Sequence, residues 1–405
     1  MTGKTIIIGA GHAGGSTAGF LRKKKYAGEI VLIGQENHYP YQRPPLSKDF
    51  LTKAIEDKRL YLKSSEYYEK NSIDVLAGFK VQNINREKKF LTLNNGKKID
   101  FETVVFATGS LVTKINTECS GSDINYLRTI EDAIKLKDNL SNKRSITIIG
   151  AGYIGLEVAS SARKLNLDTT IIEMEDTVMK RSVSNEVSNF FQSEHTKHGV
   201  EFLLNRSVEN IKDHNGKKEI ICSDGKIIHS DCIVVGVGVK PNVKLAEDIG
   251  LDCNNGILVD ENGYTSDPNF YAVGDVANHF NSIYKKRLRL ESVQNCIDQS
   301  NTVAASITGK YEPYSSVPWF WSDQYDIKLQ IAGIKDDYDQ KITIGNIKER
   351  KFSVLYLKNK KLMSIDCINK PKDFMVGKKL IHKKNAIDPL DLSDPEINLN
   401  DLLKK

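Results

Sequence analysis

Hydrophobic and polar positions follow a strand–turn–helix–strand order that occurs twice along the chain. The first repeat has apolar strands at Thr5–Ile8 and Glu29–Ile33 with a helix between them. The second has strands at Ser145–Ile149 and Asp168–Ile172 around a helix at Leu156–Leu165. Short apolar runs joined through a helix are typical of parallel strands buried on both faces. We therefore predict a duplicated α/β architecture.

Each repeat continues with a hairpin and a further buried strand. The hairpin signals are Asn94-Asn-Gly96 in the first repeat and Asn215-Gly216 in the second. Apolar strands that end in glycine follow at Thr103–Gly109 and Asp231–Gly238. The similarity of the two repeats thus extends well beyond their first strands.

The pattern changes after Tyr271–Asp275. A helix is predicted at about Cys296–Ile307, and short strands are predicted between Lys328 and Ile368. We interpret these strands as part of a separate small α+β domain, and the polar tail after Pro389 as poorly ordered.

Both repeats carry a complete glycine fingerprint directly after their first strand, Gly9-Ala-Gly11-His-Ala-Gly14 and Gly150-Ala-Gly152-Tyr-Ile-Gly155. The first glycine makes a tight turn, the second lets a pyrophosphate approach the backbone, and the third allows close packing of helix and strand. The helix N-terminus then directs free N–H groups at the phosphates. Each repeat is therefore predicted to bind a dinucleotide.

The expected fold class is α/β, with two Rossmann-like domains of the glutathione reductase-like kind and a small C-terminal α+β domain. The predicted boundaries are residues 1–111 and 242–316 for a discontinuous first domain, 112–241 for the second and 317–405 for the C-terminal domain.

An acidic residue after the second strand of each repeat is expected to bind the adenosine ribose. Glu36 and its neighbour Gln35 are the candidates in the first repeat, and the sequence leaves open which one makes the contact. Glu173 is the candidate in the second, where it begins the acidic run Glu173–Asp176. Because this run would repel a 2′-phosphate and no arginine is placed to receive one, we favour NADH over NADPH.

Two fingerprints require two dinucleotides, and a nicotinamide with a flavin is the chemically useful combination because hydride can pass between them. Gly274-Asp275 follows a strand late in the chain. In duplicated folds such a segment completes the N-terminal domain, and its carboxylate can bond the ribityl hydroxyls of FAD. FAD is thus expected at Gly9–Gly14 and NADH at Gly150–Gly155.

Composition narrows the remaining classes of function. The chain has 405 residues, 40% hydrophobic and 27% charged, as is ordinary for a globular protein. It shows no apolar run long enough to cross a bilayer and no secretory signal, so a cytoplasmic location is expected. The net charge of +6 is spread along the chain rather than grouped with aromatic residues, which argues against a nucleic-acid partner.

The cysteines and histidines give no sign of a metal site. No C-x-x-C or C-x4-C pair occurs, which argues against a metal ribbon, an iron–sulfur site and a redox disulfide within the chain. His195 and His198 form an H-x-x-H on a predicted helix, and with no third ligand nearby we interpret them as a surface pair. The six cysteines are Cys119, Cys222, Cys232, Cys253, Cys296 and Cys367.

These motifs resemble the ferredoxin reductase family of FAD- and NADH-dependent pyridine-nucleotide oxidoreductases. Within it the chain is similar to the putidaredoxin reductase-like branch, which includes the ferredoxin reductase components of aromatic-ring dioxygenases. The resemblance runs from about residue 4 to about residue 385. It is carried by Tyr41–Lys48, Ala107–Gly109, Tyr126–Thr129, Gly152–Glu157, Ala272–Asp275, Glu291–Asn295 and Pro318–Tyr325.

The resemblance implies roles near the flavin. Lys48 would lie beside it and pair with Glu157, since a cation there stabilises electron density on reduced flavin and a buried lysine needs a counter-charge. Arg43 and Arg128 would contact FAD, and the backbone of Val81 would meet its adenine.

Further roles are implied for the late segments. Glu291 and Val293 would lie beside the isoalloxazine and the nicotinamide, and Trp319 or Trp321 would pack between the flavin edge and a docking surface. Catalytic roles are thus expected for Lys48, Glu157, Glu291 and Trp319. The remaining expected cofactor contacts are His12, Ala13, Ala107, Thr108, Gly109 and Ser292, with Tyr153, Ile154, Gly236, Val237 and Gly238 around the second fingerprint.

No cysteine lies in His38–Lys48, where relatives with a thiol relay carry one. The resemblance therefore implies that electrons leave one at a time for a small acidic [2Fe–2S] ferredoxin that feeds an oxygenase, with the reductase a monomer or weak homodimer. The basic cluster Lys285–Arg289 is a candidate docking face. Alternatives are a rubredoxin reductase, a monodehydroascorbate-type reductase, and an apoptosis-factor-like flavoprotein in which bound NADH drives a conformational or dimer switch.

Overall fold

The computed structural model describes residues 3–52, 54–117, 124–392 and 397–404. In this part of the chain the strands are β1 (Thr5–Ile8), β2 (Ile30–Gly34), β3 (Ile73–Ala77), β4 (Val81–Asn85), β5 (Phe90–Leu93), β6 (Lys98–Asp100), β7 (Thr103–Phe106), β8 (Ser110–Val112), β9 (Ile124–Tyr126), β10 (Ser145–Ile149), β11 (Asp168–Ile172), β12 (Val200–Leu203), β13 (Val208–His214), β14 (Lys217–Cys222), β15 (Ile227–Ser230), β16 (Cys232–Val235), β17 (Val239–Pro241), β18 (Ile257–Val259), β19 (Phe270–Ala272), β20 (Ala277–Asn281), β21 (Lys286–Arg289), β22 (Trp319–Gln324), β23 (Ile327–Gly333), β24 (Gln340–Asn346), β25 (Lys351–Lys358) and β26 (Lys361–Ile368).

The same residues form both α-helices and short 3₁₀ helices. The α-helices are α1 (His12–Lys23), α2 (Ser65–Lys70), α3 (Ile130–Leu140), α4 (Tyr153–Lys164), α5 (Asn185–Lys197), α6 (Lys244–Asp248), α7 (Val293–Ile307) and α8 (Pro371–Lys383). The 3₁₀ helices are Pro44–Ser47, Asp57–Arg59, Gly274–Val276, Pro389–Leu392 and Leu399–Leu403.

The chain forms two compact units, each assembled from separated segments of the sequence. Unit 1 comprises the described parts of Met1–Gln42, Lys58–Leu111 and Lys240–Phe320. Unit 2 comprises those of Arg43–Asp57, Val112–Val239 and Trp321–Lys405.

Unit 1 is built on a five-stranded parallel sheet in the order β19-β7-β1-β2-β3. In the central strand, Ile6 pairs with Val31 on one side and with Val104 on the other. Every residue of β1 and β2 is buried, as expected for parallel strands covered on both faces. The helices α1 and α7 pack against each other, with Ala18 and Val303 in one shared core cluster.

Unit 2 contains a second parallel sheet in the order β12-β11-β10-β16-β9. Ile148 of β10 pairs with Ile171 and with Val234, and all three are buried. The helix α4 covers this sheet with small residues such as Ala159 and Ala162, which let it lie close to the strands.

The C-terminal part of unit 2 is an antiparallel sheet in the order β22-β23-β26-β25-β24, with α8 packed on β26. In β25 every residue from Phe352 to Leu357 is buried. Phe190 of α5 packs edge-on against Phe352, with ring centroids 5.2 Å apart. The core of unit 2 therefore continues from the parallel sheet and its helices into the antiparallel sheet.

The predicted fold class is confirmed: two parallel α/β sheets are present with a C-terminal α+β part. Both predicted hairpins form, and the Asn215-Gly216 turn has φ of 50° and 77°, as a type I′ turn requires. The three domain boundaries and their nucleotide assignments stay predictions.

The prediction of a poorly ordered tail after Pro389 is wrong for the described residues. Leu392, Leu399 and Leu402 are buried, and the 3₁₀ helix Leu399–Leu403 packs on α8. Residues three apart share one side of a 3₁₀ helix, so the spacing of Leu399 and Leu402 was the signal for this contact. Among the described residues, no helix combines the length and apolar character needed to span a membrane.

Candidate functional site

The first glycine fingerprint forms a tight turn between β1 and α1. Gly9 has φ of +114°, and a Cβ there would clash with the backbone carbonyl of Ala107. A Cβ at Gly14 would clash with the carbonyl oxygen of Gly9. Both positions require glycine because no side chain fits between the strand ends and the helix. The predicted segment Ala107–Gly109 therefore borders this turn.

The second fingerprint repeats the geometry between β10 and α4. Gly150 has φ of +104°, and a Cβ there would lie 2.5 Å from the carbonyl oxygen of Gly236. A Cβ at Gly155 would clash with the Gly150 carbonyl. Two apolar side chains beside this turn are exposed, Ile154 at 45% and Val237 at 40%, which suits a surface that a ligand covers.

Both helices begin without a side-chain cap. Gly11 is the N-cap of α1 and Gly152 that of α4, and neither position supplies a side-chain acceptor to the first-turn N–H groups. A Cβ at Gly152 would meet no protein atom within 4 Å, so the space in front of the helix is open. Each helix N-terminus is shaped to receive an anion such as a pyrophosphate.

His12 supports the same interpretation for the first turn. Its Nδ1 is buried and has no hydrogen-bond partner within the protein. Burial lowers the pKa of His12, while the nearby Asp275 carboxylate opposes that shift. A buried polar atom without a partner is costly, and a dinucleotide in the glycine turn would supply one. The residues present therefore fit a bound dinucleotide.

Residues of α7 hold the Gly274-Asp275 turn beside the first fingerprint. The Gly274 N–H donates to Gln299 Oε1 at 2.7 Å, and Ser300 Oγ donates to the Ala13 carbonyl at 2.9 Å. A Cβ on Gly274 would lie 2.9 Å from Ala13 Cβ. The structure thus brings together the two sequence-distant predicted segments. Sequence spacing gave no sign of Gln299 and Ser300.

The two candidate ribose acids are both held in place. Glu36 accepts a hydrogen bond from the Tyr41 hydroxyl and is half-buried, whereas Gln35 is exposed. Glu173 Oε2 accepts from the Ala151 N–H at 2.6 Å, and Oε1 accepts from the Glu175 N–H at 3.0 Å. Glu173 is therefore fixed at the second fingerprint by two backbone donors.

The acidic run after Glu173 carries its own cations. Lys180 Nζ pairs with Glu175 at 3.2 Å and with Asp176 at 2.9 Å. Arg206, whose backbone N–H donates to the Glu173 carbonyl at 3.0 Å, directs its guanidinium to Asp224. Both cations form ion pairs with carboxylates. The sequence did not reveal that an arginine, Arg206, lies close to the acidic run.

The predicted Lys48–Glu157 pair is present within unit 2. Lys48 Nζ lies 2.8 Å from Glu157 Oε1, with the lysine side chain 16% exposed and the glutamate 2%. Ser322 Oγ donates to Oε1 at 2.6 Å, and Ser47 Oγ donates to Oε2 at 2.5 Å. Three donors thus satisfy a carboxylate that burial alone would disfavour. Neither serine was identified from the sequence.

Arg43 and Arg128 also lie together in unit 2. Arg43 Nη1 donates to the Arg128 carbonyl at 2.5 Å. Arg128 precedes the N-cap Thr129 of α3, whose capping box with Asp132 fixes the start of that helix. With Lys48, these residues belong to unit 2, whereas the other predicted FAD contacts belong to unit 1.

The remaining predicted residues of unit 1 are placed individually. Ser292 caps α7 by accepting from the Asn295 N–H at 3.2 Å. The Trp319 N–H donates to Gln294 Oε1 at 3.2 Å. Thr108 Oγ1 donates to the Asn242 carbonyl at 2.7 Å. Val81 is buried in β4, and Val293 begins α7.

Glu291 and the basic cluster are linked, which changes the docking hypothesis. Arg289 Nη1 pairs with Glu291 Oε1 at 2.7 Å and donates to the Asp275 carbonyl at 3.1 Å. Its side chain is only 11% exposed. Arg287 Nη1 donates to the carbonyls of Val259 and Asn278. Arg289 is therefore not a docking cation, because it braces the Gly274-Asp275 turn.

The interpretation of His195 and His198 as a surface pair is wrong for one member. His198 is exposed, but His195 is fully buried and hydrogen-bonded to Gln324 and Tyr325. Within the described residues, no group of three or more His, Cys, Asp and Glu side chains is arranged to hold a metal ion.

No disulfide joins any two of the five described cysteines, and Cys119 lies outside the described residues. Cys296 is buried on α7, and its Sγ lies 3.9 Å from Asp275 Oδ1. A thiol thus adjoins a predicted FAD contact, which cysteine spacing alone did not show. The other carboxylate oxygen of Asp275, Oδ2, accepts a hydrogen bond from Ser110 Oγ at 3.2 Å.

Comparison with known proteins identifies the family. The model of the pyridine nucleotide-disulphide oxidoreductase family matches residues 3–300, and that of reductase C-terminal domains matches residues 319–403. The chain belongs to the pyridine nucleotide-disulphide oxidoreductase family. This family implies FAD and NAD(P) as cofactors.

Similar members of the family include reductases of rhodocoxin, rubredoxin and putidaredoxin. Rhodocoxin reductase of Rhodococcus erythropolis is 37% identical over 398 residues, which cover 97% of this chain and 93% of the relative. Rubredoxin-NAD(+) reductase of Ectopseudomonas oleovorans is 36% identical over 371 residues, which cover 91% and 96%. The structure of the covalent putidaredoxin reductase–putidaredoxin complex matches with a TM-score of 0.96 at 33% identity, covering 99% of this chain and 98% of that one. The predicted resemblance to ferredoxin reductases, and the assignment as an oxidoreductase, are confirmed.

Proposed function

We propose that the chain is an FAD-dependent reductase that takes hydride from NADH and passes single electrons to a small acidic [2Fe–2S] ferredoxin, which feeds an oxygenase. The observation that carries the proposal is the pair of uncapped glycine turns at Gly9–Gly14 and Gly150–Gly155. Bound FAD supplies the group that accepts a hydride and releases electrons singly. Relatives that serve rhodocoxin and putidaredoxin support a small electron carrier as the partner.

The chain's contribution to binding is positional. In this proposal the N–H groups at the start of α1 would hold the FAD pyrophosphate, Glu36 would bind its adenosine ribose and Asp275 its ribityl chain. The N–H groups at the start of α4 would hold the pyrophosphate of NADH, and the Glu173 carboxylate would bind its adenosine ribose. Because Tyr41 and the Ala151 N–H already orient the two glutamates, little ordering remains to be done on binding.

The Lys48–Glu157 pair would contribute to the electrostatics around a bound flavin. The Lys48 ammonium would supply positive charge that stabilises a reduced flavin, and Glu157 limits that charge and fixes the position of the ammonium. Both side chains are largely excluded from solvent, which strengthens their interaction. Their role is to orient and stabilise, with no proton transfer assigned to either.

NADH is favoured over NADPH by the charge around Glu173. The carboxylate would repel a 2′-phosphate, and the neighbouring cations Lys180 and Arg206 are paired with acids. A 2′-hydroxyl can donate to Glu173 instead. We place the reaction in the cytoplasm, where thiols that are not joined in disulfides persist, as among the five described cysteines.

A rubredoxin is the second candidate acceptor, favoured by the 36% identity to a rubredoxin-NAD(+) reductase. The deciding experiment mixes the purified holoenzyme with NADH and a panel of [2Fe–2S] ferredoxins and rubredoxins, and follows reduction of each carrier by its absorbance. Reduction of ferredoxins at least about tenfold more efficiently, a difference of about 1.4 kcal/mol in transition-state stabilisation, supports the proposal. Preference for rubredoxin would transfer the assignment to the second candidate.

An NADH-sensing flavoprotein is distinguished by the rate of flavin bleaching. Stopped-flow mixing with NADH should give flavin reduction as fast as turnover with the carrier. A slow phase that leaves a long-lived charge-transfer band, with a change of oligomeric state, would contradict the reductase proposal.

A further inference from the structure

A chain of buried hydrogen bonds starts at the Lys48–Glu157 pair and ends at the H-x-x-H helix α5. Ser322 Oγ contacts Glu157 Oε1 at 2.6 Å, and Gln324 Nε2 contacts Ser322 Oγ at 3.2 Å. His195 Nε2 contacts Gln324 Oε1 at 2.8 Å. Ser322, Gln324 and His195 are each 0% exposed, so water does not compete for these bonds. All of these residues belong to unit 2.

The acceptor-only carboxylate of Glu157 fixes the direction of every bond in the chain. Ser322 must donate its only hydroxyl hydrogen to Glu157, so Ser322 Oγ accepts from the Gln324 amide nitrogen. The Gln324 oxygen then faces His195, which must carry its hydrogen on Nε2. The orientation of the amide and the tautomer of the imidazole thus both follow from the charge at the far end.

The outer end of the chain holds His195 in this tautomer. Tyr325 Oη lies 3.1 Å from His195 Nδ1 and donates to it, because Nδ1 carries no hydrogen. The Tyr325 backbone has φ of 56° and its N–H donates to Ser160 Oγ at 2.8 Å. The Tyr325 ring also stacks on His198, with centroids 3.7 Å apart. Burial lowers the pKa of His195 to about 4, so it stays neutral near pH 7.

We propose that His195 is a positioning residue for the Lys48–Glu157 pair, acting through Gln324 and Ser322. The Nε2–H of His195 holds the Gln324 oxygen away from Ser322. Without that donor the amide can turn, and its oxygen would draw the Ser322 hydroxyl hydrogen away from Glu157. The carboxylate would then lose one of its three donors, and its hold on Lys48 would loosen.

This inference rests on the proposed function only in placing Lys48 beside the flavin. A first test is independent of that placement. The full-length holoenzyme, labelled with ¹⁵N at histidine, is assigned by comparison with His195→Gln, and the ring nitrogens are observed between about pH 6 and pH 8. A neutral His195 with hydrogen on Nε2 is expected, and a hydrogen on Nδ1 in the neutral ring would overturn the inference. The unmodified protein supplies this result even if a variant fails to fold.

The second test uses His195→Phe, which keeps a ring but removes the donor, with His198→Phe, at the C-cap of α5, as the matched control. We expect His195→Phe to slow flavin reduction by NADH about fivefold, with a much smaller change in the Kd for NADH. The midpoint potential of the bound FAD, measured by spectroelectrochemistry without turnover, should change as well. His195→Gln, which restores a donor, should recover both values, and His198→Phe should leave both unchanged. Equal effects of His195→Phe and His198→Phe would overturn the inference.

A double-mutant cycle shows whether His195 acts through Glu157. In a Glu157→Gln background, His195→Phe should have almost no further effect on the midpoint potential, because the residue it orients is already altered. Independent, additive changes would mean that His195 has only a structural role. If NADH fails to reduce the unmodified enzyme, the proposed function is wrong. The tautomer of His195 and the midpoint potential of the bound FAD still test this inference.

Discussion

The Glu173 carboxylate accepts a hydrogen bond from the Ala151 N–H at 2.6 Å, which ties the end of β11 to the turn of the second fingerprint. One side chain therefore holds the glycine turn and presents a negative charge at its rim. The residue that we propose to select the dinucleotide is thus hydrogen-bonded to the turn that we propose to bind it.

The Glu173→Gln variant separates these two roles. The amide oxygen can still accept from the Ala151 N–H, while the charge that repels a 2′-phosphate is lost. We expect the ratio of kcat/KM for NADH over NADPH to fall about tenfold, or about 1.4 kcal/mol. Steady-state kinetics with both dinucleotides measures the ratio. Glu175→Gln is the control, because its carboxylate faces Lys180, and an equal fall there would contradict the role of Glu173.

Gly152 offers a test of binding without a change in folding. Its φ of −75° suits alanine, and a Cβ there meets no protein atom within 4 Å. Gly152→Ala should therefore keep the melting temperature but raise the Kd for NADH about tenfold or more, because the methyl group occupies the approach of the pyrophosphate. Thermal unfolding and NADH titration measure the two effects.

Gly150→Ala is the contrasting variant. Its φ of +104°, and the 2.5 Å that would separate an added Cβ from the Gly236 carbonyl oxygen, predict a loss of roughly 2–4 kcal/mol in the free energy of unfolding. An equal loss of stability in Gly152→Ala would contradict the open space in front of α4, and an unchanged Kd for NADH would contradict its role as a ligand site.

The docking hypothesis now rests on Lys285, which is exposed, rather than on Arg289. Lys285→Asn removes one charge without backbone strain, because asparagine tolerates the φ of 55° at this position. We expect the KM for an acidic ferredoxin to rise about threefold at low salt, and ferricyanide reduction to stay unchanged.

Lys89→Asn is the matched control for this substitution. Lys89 is also exposed and lies in unit 1 with φ of 49°, but it belongs to the turn between β4 and β5. An equal rise in the KM for ferredoxin in both variants would indicate a general effect of net charge and would remove Lys285 from the docking face.

The sequence predicted the parts of the site that depend on local spacing. A glycine turn after an apolar strand has one workable geometry, and Gly9 and Gly150 adopt it with closely similar φ. The Lys48–Glu157 ion pair was predicted from the family resemblance, because no local sequence pattern links residues so far apart.

Contacts between side chains that are far apart in the sequence could not be predicted in this way. His195 and Gln324 are 129 positions apart, and Ser322 and Glu157 are 165 apart. Each of these partners is brought close only by packing of α4, α5 and β22. The H-x-x-H motif therefore suggested a surface pair, although tertiary packing buries one of its members. Arg289 was misjudged for the same reason, because a charged residue in a basic run gives no sign of a buried acceptor.

Asp366 predicts an unusual dependence of stability on pH. It is fully buried in β26, and its Oδ2 accepts from Tyr356 Oη at 2.5 Å. Burial raises the pKa of Asp366 to about 7, although the Tyr356 hydrogen bond and the nearby Lys335 oppose the shift. Since its folded-state pKa exceeds the ordinary value of 3.8, the folded protein holds a proton that the unfolded chain releases. This group's contribution to stability is therefore complete below about pH 4 and is lost as pH rises to about 7.

Asp366→Asn should remove that loss. Relative to the unmodified protein, the variant should gain free energy of unfolding between pH 5 and pH 8, by roughly 1–3 kcal/mol. Urea unfolding of both proteins at the two pH values measures the difference. The buried His195 and His279, whose pKa values burial lowers to about 4, affect both proteins alike and cancel. Asp373→Asn is the control, since Asp373 also accepts from a hydroxyl group, that of Ser353, but has Lys370 as counter-charge 3.4 Å away. That variant should lose stability at both pH values, and a gain at pH 8 as large as that of Asp366→Asn would refute the assignment to Asp366.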